Sequence, residues 1–225
     1  MSNITTVIFD FNGTLYFDSH LHIEAWKRFL AKKGFPSMTD TQFKEKFLGR
    51  NNAEIMEMLH GRKLAPECIE KLAEEKEGIY RDICRERPEE LHLVPGAEAF
   101  FDALKANGIP FTIATGSGKS NVDFYFDIFR LDRWFDYAQV VYDDGTIPGK
   151  PDPTMYLKTC KLIGKDPAEC MVFEDSFSGI HSAHNAGIGK IAAISLPENI
   201  PYVEELGIAD IIATDFTKPE VFGLF

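Results

Sequence analysis

Asp10 closes the apolar run Val7–Phe9 in the stretch "VIFDFNGTLYFDSH", and Gly13 follows three positions later. A strand that delivers a carboxylate to a glycine turn places a nucleophile at the end of a sheet, where a reacting group can approach it. Two residues on stands Asn12, at a position where a second carboxylate would complete an acid/base pair. Three further polar clusters recur along the chain: "TGS" at Thr115–Ser117, "GKPDP" at Gly149–Pro153 and "EDS" at Glu174–Ser176. Each alone is a common loop or helix start, but their order at successive strand ends is a different matter. Together they supply what phosphoryl transfer needs. Asp10 can accept the phosphoryl group, dividing the reaction into two easier steps. A hard cation bound by oxygen ligands must screen the repulsion between anion and phosphate, and Mg²⁺ suits a site of few carboxylates. Asp175 is the best second ligand, with Glu174 in the outer shell. Thr115, Gly116, Ser117 and Lys150 are placed to hold the transferring oxygens through a hydroxyl, turn amides and an ammonium.

Short apolar runs alternate with helical patterns, which predicts an α/β fold, a Rossmann-like parallel sheet with crossover helices. Strands are expected at Thr6–Phe11, Pro110–Thr115, Ala138–Tyr142, Cys170–Glu174, Lys190–Ile194 and Asp210–Ala213, and helices at Ala97–Ala106, Lys119–Phe129, Pro153–Ile163 and Ser178–Ala186. Gly108 and Gly187 stand where helix C-caps are expected. Almost a hundred residues separate the first two strands, so an insertion lies between them. Leu21, Ala25, Trp26, Phe29 and Leu30 share a helical face, as do Ile69, Leu72, Ala73, Lys76, Tyr80, Ile83 and Cys84. The insertion therefore reads as a small helical bundle, residues 17–92, set into a core of residues 1–16 and 93–225.

Composition bounds the function. The 225 residues are 44% hydrophobic and 26% charged, enough for a substantial core without a disordered tract. A net charge of -11, with no basic run, argues against nucleic acid as a partner. No stretch approaches the length of a membrane span, and no N-terminal targeting pattern is present, so the expectation is a cytoplasmic protein, a monomer or weak homodimer. Cys68, Cys84, Cys160 and Cys170 lack the paired spacing of a zinc or redox motif.

The set "FDFNGTL", "TIATGS", "GKPDP" and "VFEDSFSGI" resembles the four motifs of the haloacid dehalogenase superfamily and spans the chain. The helical insertion after the first motif is similar to that of the subgroup with a small helical cap. Within it, "HIEAWKRFLAKKG", "LGRNNAEIMEML" and "LAEEKEGIYRD" most resemble β-phosphoglucomutase and related sugar-phosphate phosphatases. The resemblance implies an aspartyl-phosphate mechanism with Mg²⁺. Asp10 would be nucleophile and metal ligand, Thr115 and Lys150 would bind phosphate, and Asp175 would complete the metal site.

The family carries an Asp where this chain has Asn12. In relatives that residue exchanges protons and gives its backbone carbonyl to the metal, and Asn12 keeps only the carbonyl. A carboxamide hydrogen-bonds but does not exchange a proton usefully near neutral pH. Since general acid/base help is worth about 10²- to 10⁴-fold, turnover should slow while phosphate binding persists. Asp18, His20 and His22 lie just downstream. His22 aligns with a cap histidine of the mutase-like members, and Asp18 or His22 is the expected partial substitute. Arg50, in "LGRNN", and Lys76 are expected to meet a distal phosphate or sugar hydroxyls, with a surface-cation role as the alternative for both. No lysine occurs between Leu48 and Leu59 to form the Schiff base of a phosphonoacetaldehyde hydrolase, and Asp175 argues against metal-free dehalogenation. The expected activity is an Mg²⁺-dependent phosphatase, less readily a phosphomutase, of a small phosphorylated metabolite such as a sugar phosphate. The alternative is a catalytically impaired protein that binds or senses such a metabolite.

Overall fold

The computed structural model describes residues 4–47 and 50–218. The chain forms two compact units, one holding the residues up to Phe17 and from His92 onward, the other Asp18–Leu91. No helix among the described residues is long and apolar enough to cross a membrane.

The helical unit contains α1 (Ser19–Lys33), α2 (Asp40–Phe47), α3 (Asn52–His60) and α4 (Pro66–Glu86). The apolar stripe of α1 is buried at Leu21, Ala25, Trp26, Phe29 and Leu30, and the helix stops where Gly34 turns left-handed and its N–H reaches back to Leu30 and Ala31. Asn51 caps α3 by accepting from the Glu54 N–H at 2.9 Å, and Pro66 opens α4 at its first turn. Trp26, Phe29, Leu30, Phe43, Phe47, Ile55 and Met56 make one core. Removing a ring such as Phe29 would cost about 3–5 kcal/mol. The stripe expected on α4 is buried only in its second half, at Lys76, Tyr80, Ile83 and Cys84. Ile69, Leu72 and Ala73 are half-buried, because the first turns of α4 lie at the margin of that core.

The other unit is a six-stranded parallel sheet, β1 (Thr6–Phe9), β2 (Phe111–Gly118), β3 (Val141–Asp143), β4 (Cys170–Glu174), β5 (Lys190–Ile194) and β6 (Ile211–Ala213), in the order β3-β2-β1-β4-β5-β6. Its helices are α5 (Ala97–Ala106), α6 (Lys119–Phe129), α7 (Thr154–Leu162), α8 (Phe177–Asn185) and α9 (Ile200–Leu206). β1 and β4 are buried throughout, as continuous apolar runs in a sheet covered on both faces must be. Alternation sends Ile8 and Val172 into one layer with Met155, Cys160, Ile180 and Ala183 of α7 and α8. Phe9 and Phe173 face the other way, stacked at 5.1 Å and meeting Phe100 and Phe101 of α5.

Four strands differ in their bounds from the sequence-based expectation, β6 only by starting at Ile211 instead of Asp210 and the other three as follows. β1 ends at Phe9 rather than Phe11, because the Phe11 carbonyl is taken by the N–H groups of Thr14, Leu15 and Tyr16 in the turn that follows. β2 runs on to Gly118, its pairing with β3 shifting register between Thr115 and Gly118. Residues 137–139 form a 3₁₀ turn instead of a strand, since Asp136 caps the Ala138 N–H at 3.0 Å and β3 begins only at Val141. Gly108 and Gly187 lie one residue beyond the caps Asn107 and Ala186.

Candidate active site

The strand order reverses at β1, with β2 on one side and β4 on the other. At such a switch point the carboxyl ends of neighbouring strands part and leave a crevice. Asp10, Thr115 and Glu174 come from those three strand ends, and each is buried. The Asp10 N–H donates to the Phe173 carbonyl at 2.9 Å, which extends the β1–β4 ladder by one bond and fixes the carboxylate at the rim.

Lys150 ties two of these strands together. Its ammonium donates to Asp10 Oδ1 at 2.6 Å and to Glu174 Oε1. Burial pulls the Lys150 pKa down, but the Asp10 and Glu174 carboxylates outweigh it and hold the ammonium above the ordinary lysine range. Tyr156, buried on α7, donates its hydroxyl to the same Glu174 Oε1 at 2.7 Å. Burial, and then the Glu174 charge, push its pKa well above the usual phenol value, so it stays a neutral donor. Glu174 Oε2 accepts from the N–H groups of Asp175 and Ser176 and from the Ser176 hydroxyl, at 3.0–3.2 Å. Glu174 Oε2 thus holds the loop that presents Asp175, while Oε1 is held by Lys150 and Tyr156. Two glycines make room for this packing. A Cβ at Gly179 would sit 1.9 Å from Glu174 Oε1, and one at Gly13, whose φ is +82°, would sit 2.1 Å from Asp175 Oδ2.

Asp10, Glu174 and Asp175 each bring a carboxylate oxygen within 4.8 Å of the others. Lys150 bonds two of them, and an all-oxygen donor set of this kind fits a hard divalent cation.

The opposite wall is neutral. Asn12 Oδ1 accepts from the Ser117 hydroxyl at 2.7 Å, with the Thr115 hydroxyl farther off at 3.5 Å. Asn12 Nδ2 donates to Tyr125 Oη at 2.8 Å, and the Ser117 N–H donates to Thr115 Oγ1 at 3.1 Å. Gly116 is exposed between them. The structure therefore brings together Asp10, Asn12, Thr115, Ser117, Lys150, Glu174 and Asp175, from four separate parts of the sequence.

His22 and Lys76 belong to a second polar cluster, inside the helical unit. Lys76 is only 2% exposed, and its ammonium lies 2.8 Å from His22 Nδ1 and 2.9 Å from Glu77 Oε1. The alternative of a surface cation thus fails for Lys76, because its charge is matched within the unit. Burial opposes ionisation of Glu77, but Lys76, His22 and Asn52 outweigh it and lower its pKa to about 2. Asp18 is also buried, receiving the Tyr80 hydroxyl at 2.5 Å with His22 Nε2 at 3.3 Å, and the His22 ring stacks on Tyr80. His20 is exposed beside Glu90. Arg50 is exposed, while Leu48 and Gly49 of "LGRNN" lie outside the described residues.

Comparison with known proteins agrees with this geometry. The family model of haloacid dehalogenase-like hydrolases matches residues 4–187. This chain is a haloacid dehalogenase-like hydrolase. A crystal structure of a HAD hydrolase, family IA, variant 3, from Entamoeba histolytica is 35% identical, with a TM-score of 0.87 over 97% of each chain. The phosphorylated carbohydrates phosphatase of Thermotoga maritima is 28% identical over 84% of each chain. The bifunctional riboflavin kinase/FMN phosphatase of Arabidopsis thaliana is 35% identical over 47% of this chain, a match that spans only 27% of that protein.

Within this haloacid dehalogenase-like site, Tyr156, Tyr125 and Gly179 are members that sequence reasoning missed, while Ser176 was placed in the "EDS" cluster without a role of its own. Tyr156 and Tyr125 sit in the helical runs "TMYLKTCKL" and "NVDFYFDIF", where a tyrosine on an apolar face reads as core. Gly179 alone carried a signal, as a glycine inside the first turn of a helix.

Proposed function

We propose that this hydrolase is an Mg²⁺-dependent phosphatase of small phosphorylated metabolites, sugar phosphates among them, working through a phosphoryl group carried on Asp10. The observation that carries the reading is the set of three carboxylates beside one half-buried lysine at the strand ends of a haloacid dehalogenase-like sheet. Asp175, Asp10 and the Asn12 backbone carbonyl would hold Mg²⁺, which when bound neutralises charge on the approaching phosphate. Asp10 attacks phosphorus and the substrate oxygen leaves. Water then hydrolyses the acyl phosphate and restores Asp10. Lys150 keeps its proton throughout and offsets charge on Asp10. The Thr115 hydroxyl and the Gly116 amide hold the transferring oxygens, and Ser117, whose N–H donates to Thr115 and whose hydroxyl donates to Asn12, shapes that turn. Asn12 hydrogen-bonds without carrying a proton, so hydrolysis of the acyl phosphate is the slow step. The Thermotoga relative, named for phosphorylated carbohydrates, supports the substrate class. His22, Arg50 and Lys76 are proposed for substrate recognition on the sequence resemblance alone.

Asn12 also favours a second reading, in which the pocket binds a phosphorylated metabolite with little turnover. A panel of phosphorylated metabolites, assayed with Mg²⁺ and with chelator on the protein and on Asn12→Asp, separates the two. Mg²⁺-dependent phosphate release that rises about 10²-fold or more in Asn12→Asp is the expected result. Tight binding by calorimetry without release from either protein would overturn the phosphatase reading.

A further inference from the structure

The carboxamide of Asn12 is gripped at both ends. On one side the Ser117 hydroxyl donates to Oδ1 at 2.7 Å, and on the other Nδ2 donates to the phenol oxygen of Tyr125 at 2.8 Å. Tyr125 reaches the site from the middle of α6, 1% exposed, its ring stacked on Phe11 at 4.3 Å with an interplanar angle of 15°. Phe11 is the residue between Asp10 and Asn12, so the stack holds the phenol against the first turn of the site. The two hydroxyls also approach each other, Ser117 Oγ lying 3.5 Å from Tyr125 Oη.

The two ends of a carboxamide are not equivalent, since the amine end only donates and the carbonyl end only accepts. With Tyr125 accepting from Nδ2, the carbonyl end is left facing the 115–117 turn, and there it orients the Ser117 hydroxyl proton. Thr115 Oγ1, already accepting from the Ser117 N–H, has its own proton available in the same direction. We infer that Tyr125 is a positioning residue: through Asn12 it fixes the directions of the hydroxyls on the turn that receives the transferring phosphoryl oxygens. Its ring packs, and its oxygen holds the amine end of Asn12. Without that oxygen the Asn12 side chain loses a partner in a half-buried place and can rotate, taking the Ser117 proton with it.

The inference deepens the phosphatase reading, and the test keeps the two apart. Tyr125→Phe retains the stack on Phe11 and deletes only the phenol oxygen. Protein labelled with ¹⁵N asparagine, free of metal and substrate, reports the Asn12 side-chain amide directly, with Asn12→Asp identifying its signals by their loss. In Tyr125→Phe those signals should move toward the position and exchange rate of solvent-exposed asparagines. On the best substrate of the panel, kcat should fall about three- to tenfold with KM within about twofold, the effect of one neutral hydrogen bond felt in the chemical step. Unchanged Asn12 signals in Tyr125→Phe overturn the inference, and so do shifted signals with kcat unaltered. If the parent protein hydrolyses nothing while the Asn12 signals still depend on Tyr125, the grip on Asn12 stands and the phosphatase reading falls. Should Tyr125→Phe fail to fold, 3-fluorotyrosine in place of the tyrosines weakens the phenol as an acceptor at nearly constant shape. A smaller displacement of the Asn12 signals in the same direction is then expected, and none would overturn the inference.

Discussion

Lys76, which is buried, and Lys150, which is half-buried, are both bonded to carboxylates, and the difference between their surroundings separates function from architecture. Lys76 is bonded to its sequence neighbour Glu77 and to His22, lies 5.1 Å from the Trp26 ring, and His22 in turn meets Asp18. Lys76, Glu77, His22 and Asp18 thus form one chain of polar contacts inside the helical unit. Lys150 joins Asp10 and Glu174, with Asp175 beside them, so that three carboxylates face one ammonium. Charges are buried only when matched, because an unmatched one costs several kcal/mol. The cluster around Lys76 is held together by its own contacts within the helical unit. The cluster around Lys150 instead gathers three carboxylate oxygens within 4.8 Å of one another, a set that could hold a cation.

This contrast can be broken most forcefully at the lysines themselves. Lys150→Met and Lys76→Met should each lose about 3–5 kcal/mol, since each leaves buried carboxylates without their cation. Millimolar Mg²⁺ should restore a large part of the loss in Lys150→Met and none in Lys76→Met, read as urea midpoints with and without the ion. Equal restoration in both would erase the distinction. A smaller effect follows from the space around Glu174. Gly179→Ala brings a Cβ into its carboxyl group, so Glu174 and the loop carrying Asp175 must shift, costing about 1–3 kcal/mol and weakening Mg²⁺ binding by calorimetry. Unchanged affinity would mean that Glu174 does not set the place of Asp175. The smallest effect belongs to Tyr156→Phe, which removes one of the donors to Glu174. It should cost about 1–2 kcal/mol in a denaturant titration while phosphate release continues.

Much of the sheet was legible because its signal is local. The apolar runs of β4 and β5 and the periodic runs of α5 and α6 matched their predicted bounds, since a buried parallel strand or an amphipathic helix declares itself within a few residues. Where a side chain competed for backbone bonds, as Asp136 does at residues 137–139, the periodic pattern misled. The site was legible as four motifs, but not the contacts between them. Lys150 reaches Asp10 across 140 residues and Tyr125 reaches Asn12 across 113. Only the fold places them together. Lys76 shows the reverse case: its position in an apolar stripe on α4 foretold burial, and its charge is accounted for by partners that the stripe does not contain.

The central claim is that Asp10 carries the phosphoryl group. It is tested most directly by acid-quenching the enzyme during turnover with Mg²⁺ and a good substrate, then locating the added phosphoryl group by peptide mass spectrometry. With hydrolysis of the acyl phosphate slowed as proposed for Asn12, the phosphorylated enzyme should accumulate, with the label on the peptide containing Asp10, and Asp10→Asn should abolish both label and phosphate release. Phosphate release that persists in Asp10→Asn, or a label on another residue, would contradict it.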